Sequence, residues 1–144
     1  MTGLTLRPLA PGLESYGAVM SLLSRLSGYE RAHFGPLARA VLMQIQRGTH
    51  LAAFTGNTLI GYVGGLPVDA AKAESWLKGH GTLTVIDVTE FSKAWSVSVF
   101  ASHDPRVVRQ MLRHLRRLYP GVTVYFRRDY ADGRTSARKK LAPV

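Results

Sequence analysis

The stretch from Ala94 to Arg128, AWSVSVFASHDPRVVRQMLRHLRRLYPGVTVYFRR, constrains this chain more than any other part of it. WSVSVFA and VTVYF are dense in β-branched and aromatic residues, which suit a pleated, packed strand. Between them Val107, Val108, Met111, Leu112, Leu115 and Leu118 recur at helical spacing. Arg106, Arg109, Arg113, Arg116 and Arg117 fall on the other side of the same helix. The pattern predicts strand, turn, amphipathic helix over 104–118, turn and strand. One helix face must lie on a sheet, and the other is a dense positive surface.

That surface belongs to an uneven charge distribution. The 144-residue chain has a net charge of +10, and Arg106, Arg109, Arg113, Arg116, Arg117, Arg127, Arg128, Arg134, Arg138, Lys139 and Lys140 all lie in its last third. Only Asp104, Asp129 and Asp132 oppose them there. Such a field attracts nucleic acid, acidic carrier proteins or anionic cofactors, or it is simply a solvated face that aids solubility. The absence of cysteine excludes disulfides, thiolate metal sites and cysteine nucleophiles. A hydrophobic content of 46% argues against general disorder. No apolar run approaches the roughly 20 residues of a membrane span. The N-terminal segment lacks a charged start followed by a long apolar core, so no signal peptide is read and a cytoplasmic location is expected.

In chain order, residues 1–12 carry two prolines and two glycines and read as an extended arm. A helix is expected from Leu13 to about Leu26, with Tyr16, Val19, Met20, Leu23 and Leu26 on one side and Gly28 ending it. SGYERAHFGP reads as a polar loop. Pro36 suits the first turn of a second helix, with Leu37, Val41, Leu42 and Ile45 as its buried stripe and Gly48 as its stop. Two apolar runs flank Gly56-Asn57, which is hairpin chemistry, and Gly64, Gly65 and Pro67 are read as breaking the second strand. A short helix fits Asp69 to Leu77, and TLTVIDV reads as a further strand. The expected division is an arm over 1–12, a domain over 13–128 and a basic tail over 129–144. The fold class is α+β: a mixed central sheet with flanking helices, in a single domain.

Residues with chemical potential are few. His33, His50, His80, His103 and His114 are scattered, without the spacing that puts two metal ligands on one face. No P-loop, nucleophile elbow or dinucleotide fingerprint is present. His33, beside Glu30 and Arg31 in a loop, could serve as a general base or be an ordinary surface histidine. The turn at Ser102, His103 and Asp104 opens the basic helix, where free N–H groups can bind an anion. Capping of those groups by Ser102 or Asp104 is the stronger expectation there, because a carboxylate would repel phosphate. Trp76 and Trp95 are assigned to the core or its edge, and His50 to a satisfied structural role.

The order of these elements resembles the toxin-activating lysine acyltransferases that mature RTX hemolysins, a family whose fold is similar to the GNAT acetyltransferases. The resemblance rests on QRGTHLAAFTGNTLIGYVGGLPVDAAKAESWL, on AWSVSVFA, and on LRRLYPGVTVYFRRD, and it covers roughly residues 16–129. It implies a GNAT-like sheet, a lysine acceptor, and an acyl thioester of acyl carrier protein or coenzyme A as co-substrate, with no permanently bound cofactor. The family's catalytic histidine pairs with Glu30, with His33 three residues on, and its catalytic aspartate pairs with Ser98. The donor side pairs with Ser102, His103, Arg106 and Arg109. SHDPRVVRQ lacks both the family's glycines and the R/Q-x-x-G-x-G/A loop by which ordinary GNAT enzymes hold the coenzyme A diphosphate.

Three readings follow. In the first, Glu30 or His33 takes the proton of a lysine amine and the arginine face docks an acidic acyl carrier protein. In the second, loss of the His/Asp pair leaves a non-catalytic subunit of a larger assembly, such as a phage virion component, held by neighbouring subunits. In the third, the arginine face binds nucleic acid, with Arg127, Arg128 and Tyr130 adding contacts.

Overall fold

A computed structural model describes residues 3–87, 93–129 and 136–143. Strands β1 (Leu4–Arg7), β2 (His50–Thr55), β3 (Thr58–Pro67), β4 (Ala94–Ser102), β5 (Thr123–Asp129) and β6 (Ser136–Leu141) form one mixed sheet in that order. Helices α1 (Leu13–Ser24), α2 (Phe34–Arg47), α3 (Ala70–Leu77) and α4 (Pro105–Leu118) and a 3₁₀ turn at Ser27–Tyr29 complete the described elements. The ladders β1/β2, β2/β3 and β5/β6 are antiparallel, and β4/β5 is parallel. The mixed sheet with helices therefore stands as the sequence predicts. Among the described residues, no helix is long and apolar enough to cross a membrane. The chain divides into two compact units, Met1–Gly64 with Val99–Leu115 and Gly65–Ser98 with Arg116–Val144.

The first unit is built by α1, α2 and the β2–β3 hairpin. Its core includes Val19, Leu22, Leu23, Val41, Ile45, Ala52, Phe54, Tyr62, Val99 and Ala101. Helix α1 ends at Ser24, before Gly28, which instead lies in the 3₁₀ turn. Helix α2 stops as expected at Gly48, whose φ of 72° is the left-handed conformation that closes a helix cheaply only in glycine. In the hairpin, Thr55 pairs with Thr58 around Gly56-Asn57, with Gly56 at φ 60°. The expected N-terminal arm holds a strand: β1 pairs with β2 from Leu4↔Thr55 to Arg7↔Ala52. Arg7 covers the Phe54 ring at 4.0 Å.

Gly64 and Gly65 do not break β3, which runs through both to Pro67. They are glycines because something else fills the place of a side chain. A Cβ on Gly64 would lie 1.8 Å from Gln44 Oε1, and one on Gly65 would lie 2.8 Å from the Ser96 carbonyl oxygen. Gln44 is fully buried and accepts from the Tyr62 hydroxyl at 2.7 Å. His50 stacks on Tyr62 with ring centroids 5.8 Å apart. Its Nε2 accepts from the Leu9 N–H at 2.8 Å, so Nδ1 carries the proton and donates to the Gln44 carbonyl at 3.0 Å. Both ring nitrogens are satisfied, as a structural histidine requires.

In the second unit, Asp69 caps α3 by accepting from the Lys72 N–H at 2.9 Å. Val68, Ala73, Trp76, Ala94 and Tyr125 form its core cluster, and Trp95, also buried, lies against Tyr119 at 4.5 Å. The strand expected at TLTVIDV is reduced, over its described residues, to an isolated bridge between Val68 and Val85. The segment read as a basic tail contains β6, paired with β5 from Val124↔Leu141 to Asp129↔Ser136. Charged side chains also hold it. Glu74 accepts from the Tyr125 hydroxyl and from Lys140 Nζ, while Arg138 donates to the Trp76 carbonyl at 2.6 Å and covers its ring at 5.0 Å. Residues 130–135, including Tyr130 and Arg134, lie outside the described residues.

Candidate functional site

The junction between β4 and α4 is fixed by a short chain of hydrogen bonds within the first unit. The Ser102 hydroxyl donates to the Ile60 carbonyl at 2.8 Å and accepts from the Asp104 N–H at 3.2 Å. Pro105 then opens the helix, at the position where a missing N–H costs nothing. Asp104 Oδ1 accepts from the Arg106 N–H at 2.9 Å, and its two oxygens take the Arg106 guanidinium at 3.2 and 3.1 Å. These bonds hold the Asp104 carboxyl below the usual carboxylate range and raise the Arg106 guanidinium. Capping by Asp104 is thus the arrangement found. Of the four donor-side candidates, Ser102 and Arg106 are engaged in this closure, while His103 and Arg109 are exposed.

Helix α4 turns Val107, Met111 and Leu115 inward. Val107 and Met111 approach Gly61 so closely that a Cβ there would meet Val107 Cγ1 at 3.0 Å and Met111 Cε at 2.7 Å. The buried stripe is narrower than its sequence suggests: Val108 and Leu112 are half-buried, and Leu118 is 53% exposed. Arg106, Arg109, Arg113 and Arg117 are exposed along the helix. Arg116 differs, donating to the Ala142 carbonyl.

The candidate bases lie in the segment between α1 and α2. Glu30 follows the 3₁₀ turn, His33 precedes α2, and both are exposed. Neither the sequence nor its periodicity flags the residue that anchors them. The Tyr29 hydroxyl donates to the Phe100 carbonyl at 2.9 Å and accepts from the Phe100 N–H at 3.1 Å. That ties the turn to β4. Ser98, exposed, lies two residues earlier on the same strand. Among the described residues, no group of three or more acidic or histidine side chains could hold a metal ion.

No protein-family model matches this sequence, and no curated protein does. Solved structures do. Ard1 from Thermoplasma volcanium is similar with a TM-score of 0.60 at 10% identity, over 99% of each chain. The GphF GNAT-like decarboxylase in complex with isobutyryl-CoA is similar at 0.61 and 19% identity, over 88% of this chain and 67% of that one. The loading GNATL domain of CurA from Lyngbya majuscula is similar at 0.57 and 11% identity, and this chain spans 65% of its length. At such identities the likeness shows the fold alone, which is that of the GNAT acetyltransferases. Neighbours of this fold include both a GNAT-like decarboxylase and a mosquito arylalkylamine N-acetyltransferase-like protein, so chemistry has to be argued from residues.

Proposed function

We propose that this chain is a GNAT-fold acyltransferase that moves an acyl group from a carrier-protein thioester to a lysine amine. The closed N-terminus of α4 carries this reading. At that helix start the Asp104 carboxylate takes a first-turn N–H and would repel a coenzyme A diphosphate. A thioester presented by a carrier protein needs no diphosphate grip. Its acidic surface would meet the exposed row Arg109, Arg113 and Arg117, where complementary charge speeds encounter.

The chemistry asked of the chain is modest. Lysine attacks as the neutral amine, and Glu30 or His33 accepts the proton that its nitrogen releases as the C–N bond forms. The C–S bond then breaks and the thiolate leaves with the carrier. The choice of a lysine acceptor rests on the sequence resemblance to the toxin-activating lysine acyltransferases, and the tether at Phe100 supports the choice of bases.

The test is acyl transfer with a labelled acyl group, supplied in parallel as acyl carrier protein and as coenzyme A thioester. Transfer from the carrier alone, lost in Glu30→Gln/His33→Gln, supports the reading. Equal use of coenzyme A, or no transfer from either donor, overturns it.

A further inference from the structure

The inner face of the 27–33 segment holds a group that acyl transfer as described does not use. From Ser27 to His33 every residue is exposed except Tyr29, which packs against the first unit's core. Its hydroxyl takes both backbone groups of one residue of β4, 71 positions away. Those are the groups through which a strand residue exchanges bonds with a neighbouring strand. The turn around it is tight: Tyr29 N–H donates to Leu26, Glu30 N–H to Ser27 and Ala32 N–H to Tyr29, at 3.1, 3.3 and 3.2 Å. On the far side the His33 carbonyl accepts from the Leu37 N–H at 3.1 Å, in the first turn of α2. Glu30 and His33 are therefore suspended between two fixed points, a helix start and a single hydroxyl.

We infer that Tyr29 is a positioning residue for the proton-accepting segment: its hydroxyl, clasped to Phe100, sets where Glu30 and His33 stand. The inference rests on the acyl-transfer reading for its kinetic consequence, though not for its structural one. Displacements near 1 Å can cost about a hundredfold in rate when a reacting group is misplaced.

Tyr29→Phe keeps the ring and removes only the hydroxyl. Amide hydrogen exchange in Phe100 and across Glu30–His33 is expected to speed up at least tenfold, with Val41 and Ile45 in the α2 core unchanged. Transfer kcat is expected to fall ten- to a hundredfold, KM for the donor to stay within twofold, and the pH–rate limbs to keep their positions. Unchanged exchange at Glu30–His33 overturns the inference, as does a shifted pH limb, which would make Tyr29 itself the proton carrier. If the wild-type protein transfers nothing, the acyl-transfer reading fails, and the exchange experiment still decides whether the hydroxyl fixes the segment. Should Tyr29→Phe fail to fold, exchange at Phe100 in the wild-type protein decides: protection no greater than that of a frayed terminus refutes the clasp.

Discussion

Gly64→Ala tests the tightest packing in the first unit. The added methyl would stand 1.8 Å from Gln44 Oε1, 2.5 Å from its Cδ and 2.8 Å from the Tyr62 hydroxyl. No rotation of a methyl relieves this, so the Gln44 carboxamide must leave its site. Its departure strips the Tyr62 hydroxyl, whose ring is fully buried, of the acceptor at 2.7 Å. An unsatisfied buried hydroxyl costs about 1–3 kcal/mol, and forcing extra volume into a packed core costs roughly as much again. A loss of about 2–6 kcal/mol is expected in urea unfolding followed by tryptophan fluorescence. The same substitution placed on Gln44→Ala meets no carboxamide, so its cost there should fall by about 1–3 kcal/mol. Additive costs in the double variant, or a loss under about 0.5 kcal/mol for Gly64→Ala alone, would refute the close-approach argument.

Three further outcomes follow from particular contacts. Burial lowers the pKa of His50, outweighing the opposing pull of its bond to the Gln44 carbonyl. Protons then bind the unfolded chain first, so stability contributed by neutral His50 is present above about pH 6.5 and is lost below it by at most about 1.4 kcal/mol per pH unit; urea midpoints at pH 8, 6.5 and 5.5 read it, and a His50→Gln variant should lose that part of the slope. Asp104→Ala removes the cap of α4 at a cost of about 1 kcal/mol and opens the helix N-terminus, so coenzyme A should bind it several-fold more tightly in calorimetry than it binds the parent; equal affinity would show that Asp104 does not exclude the diphosphate. Arg138→Ala deletes the bond to the Trp76 carbonyl and the ring contact at 5.0 Å, for about 1–2 kcal/mol by thermal unfolding, and should speed exchange of the described β6 amides.

Elements whose side chains repeat with a period are the ones the sequence announces. WSVSVFA alternates and Val107–Met111–Leu115 recurs by turns of a helix, so β4 and α4 are legible to within a residue or two. Beta strands made by backbone pairing are not. LTLR is flanked by glycine and proline, and SARKKL carries three consecutive charges, Arg138, Lys139 and Lys140. Their pairing with β2 and β5 is a property of the neighbours rather than of their own pattern. The reverse error occurs at TLTVIDV, whose β-rich composition yields only one bridge among its described residues. Glycine is ambiguous for a different reason: one letter serves to end a strand and to admit a buried carboxamide, and only the position of Gln44 decides between them. The Asp104 cap was legible because Ser-x-Asp-Pro before a periodic helix is local chemistry. Tyr29 was not, since its partner lies 71 residues away.

The closure at Asp104 also decides how α4 can serve a donor. A helix start satisfied by its own carboxylate offers no net attraction to an anion, and it holds the Arg106 guanidinium as well. What remains outward is Arg109, Arg113 and Arg117, each four residues from the next, so successive charges lie about 6 Å apart along the axis, from the 1.5 Å rise per residue. Exposed charges of this kind act at a distance set by salt, about 10 Å at 0.1 M and about 3 Å at 1 M. They steer encounter more than they hold a complex. If the row receives an acidic carrier, kcat/KM for the carrier-bound donor must fall steeply as salt rises, while kcat at saturating donor stays level. Arg113→Gln/Arg117→Gln should flatten that dependence and lower kcat/KM at low salt, measured by initial rates between about 50 mM and 500 mM sodium chloride. A salt dependence carried by kcat, or one unaltered in the double variant, would place donor recognition elsewhere on the protein and leave the arginine row as a solvated face.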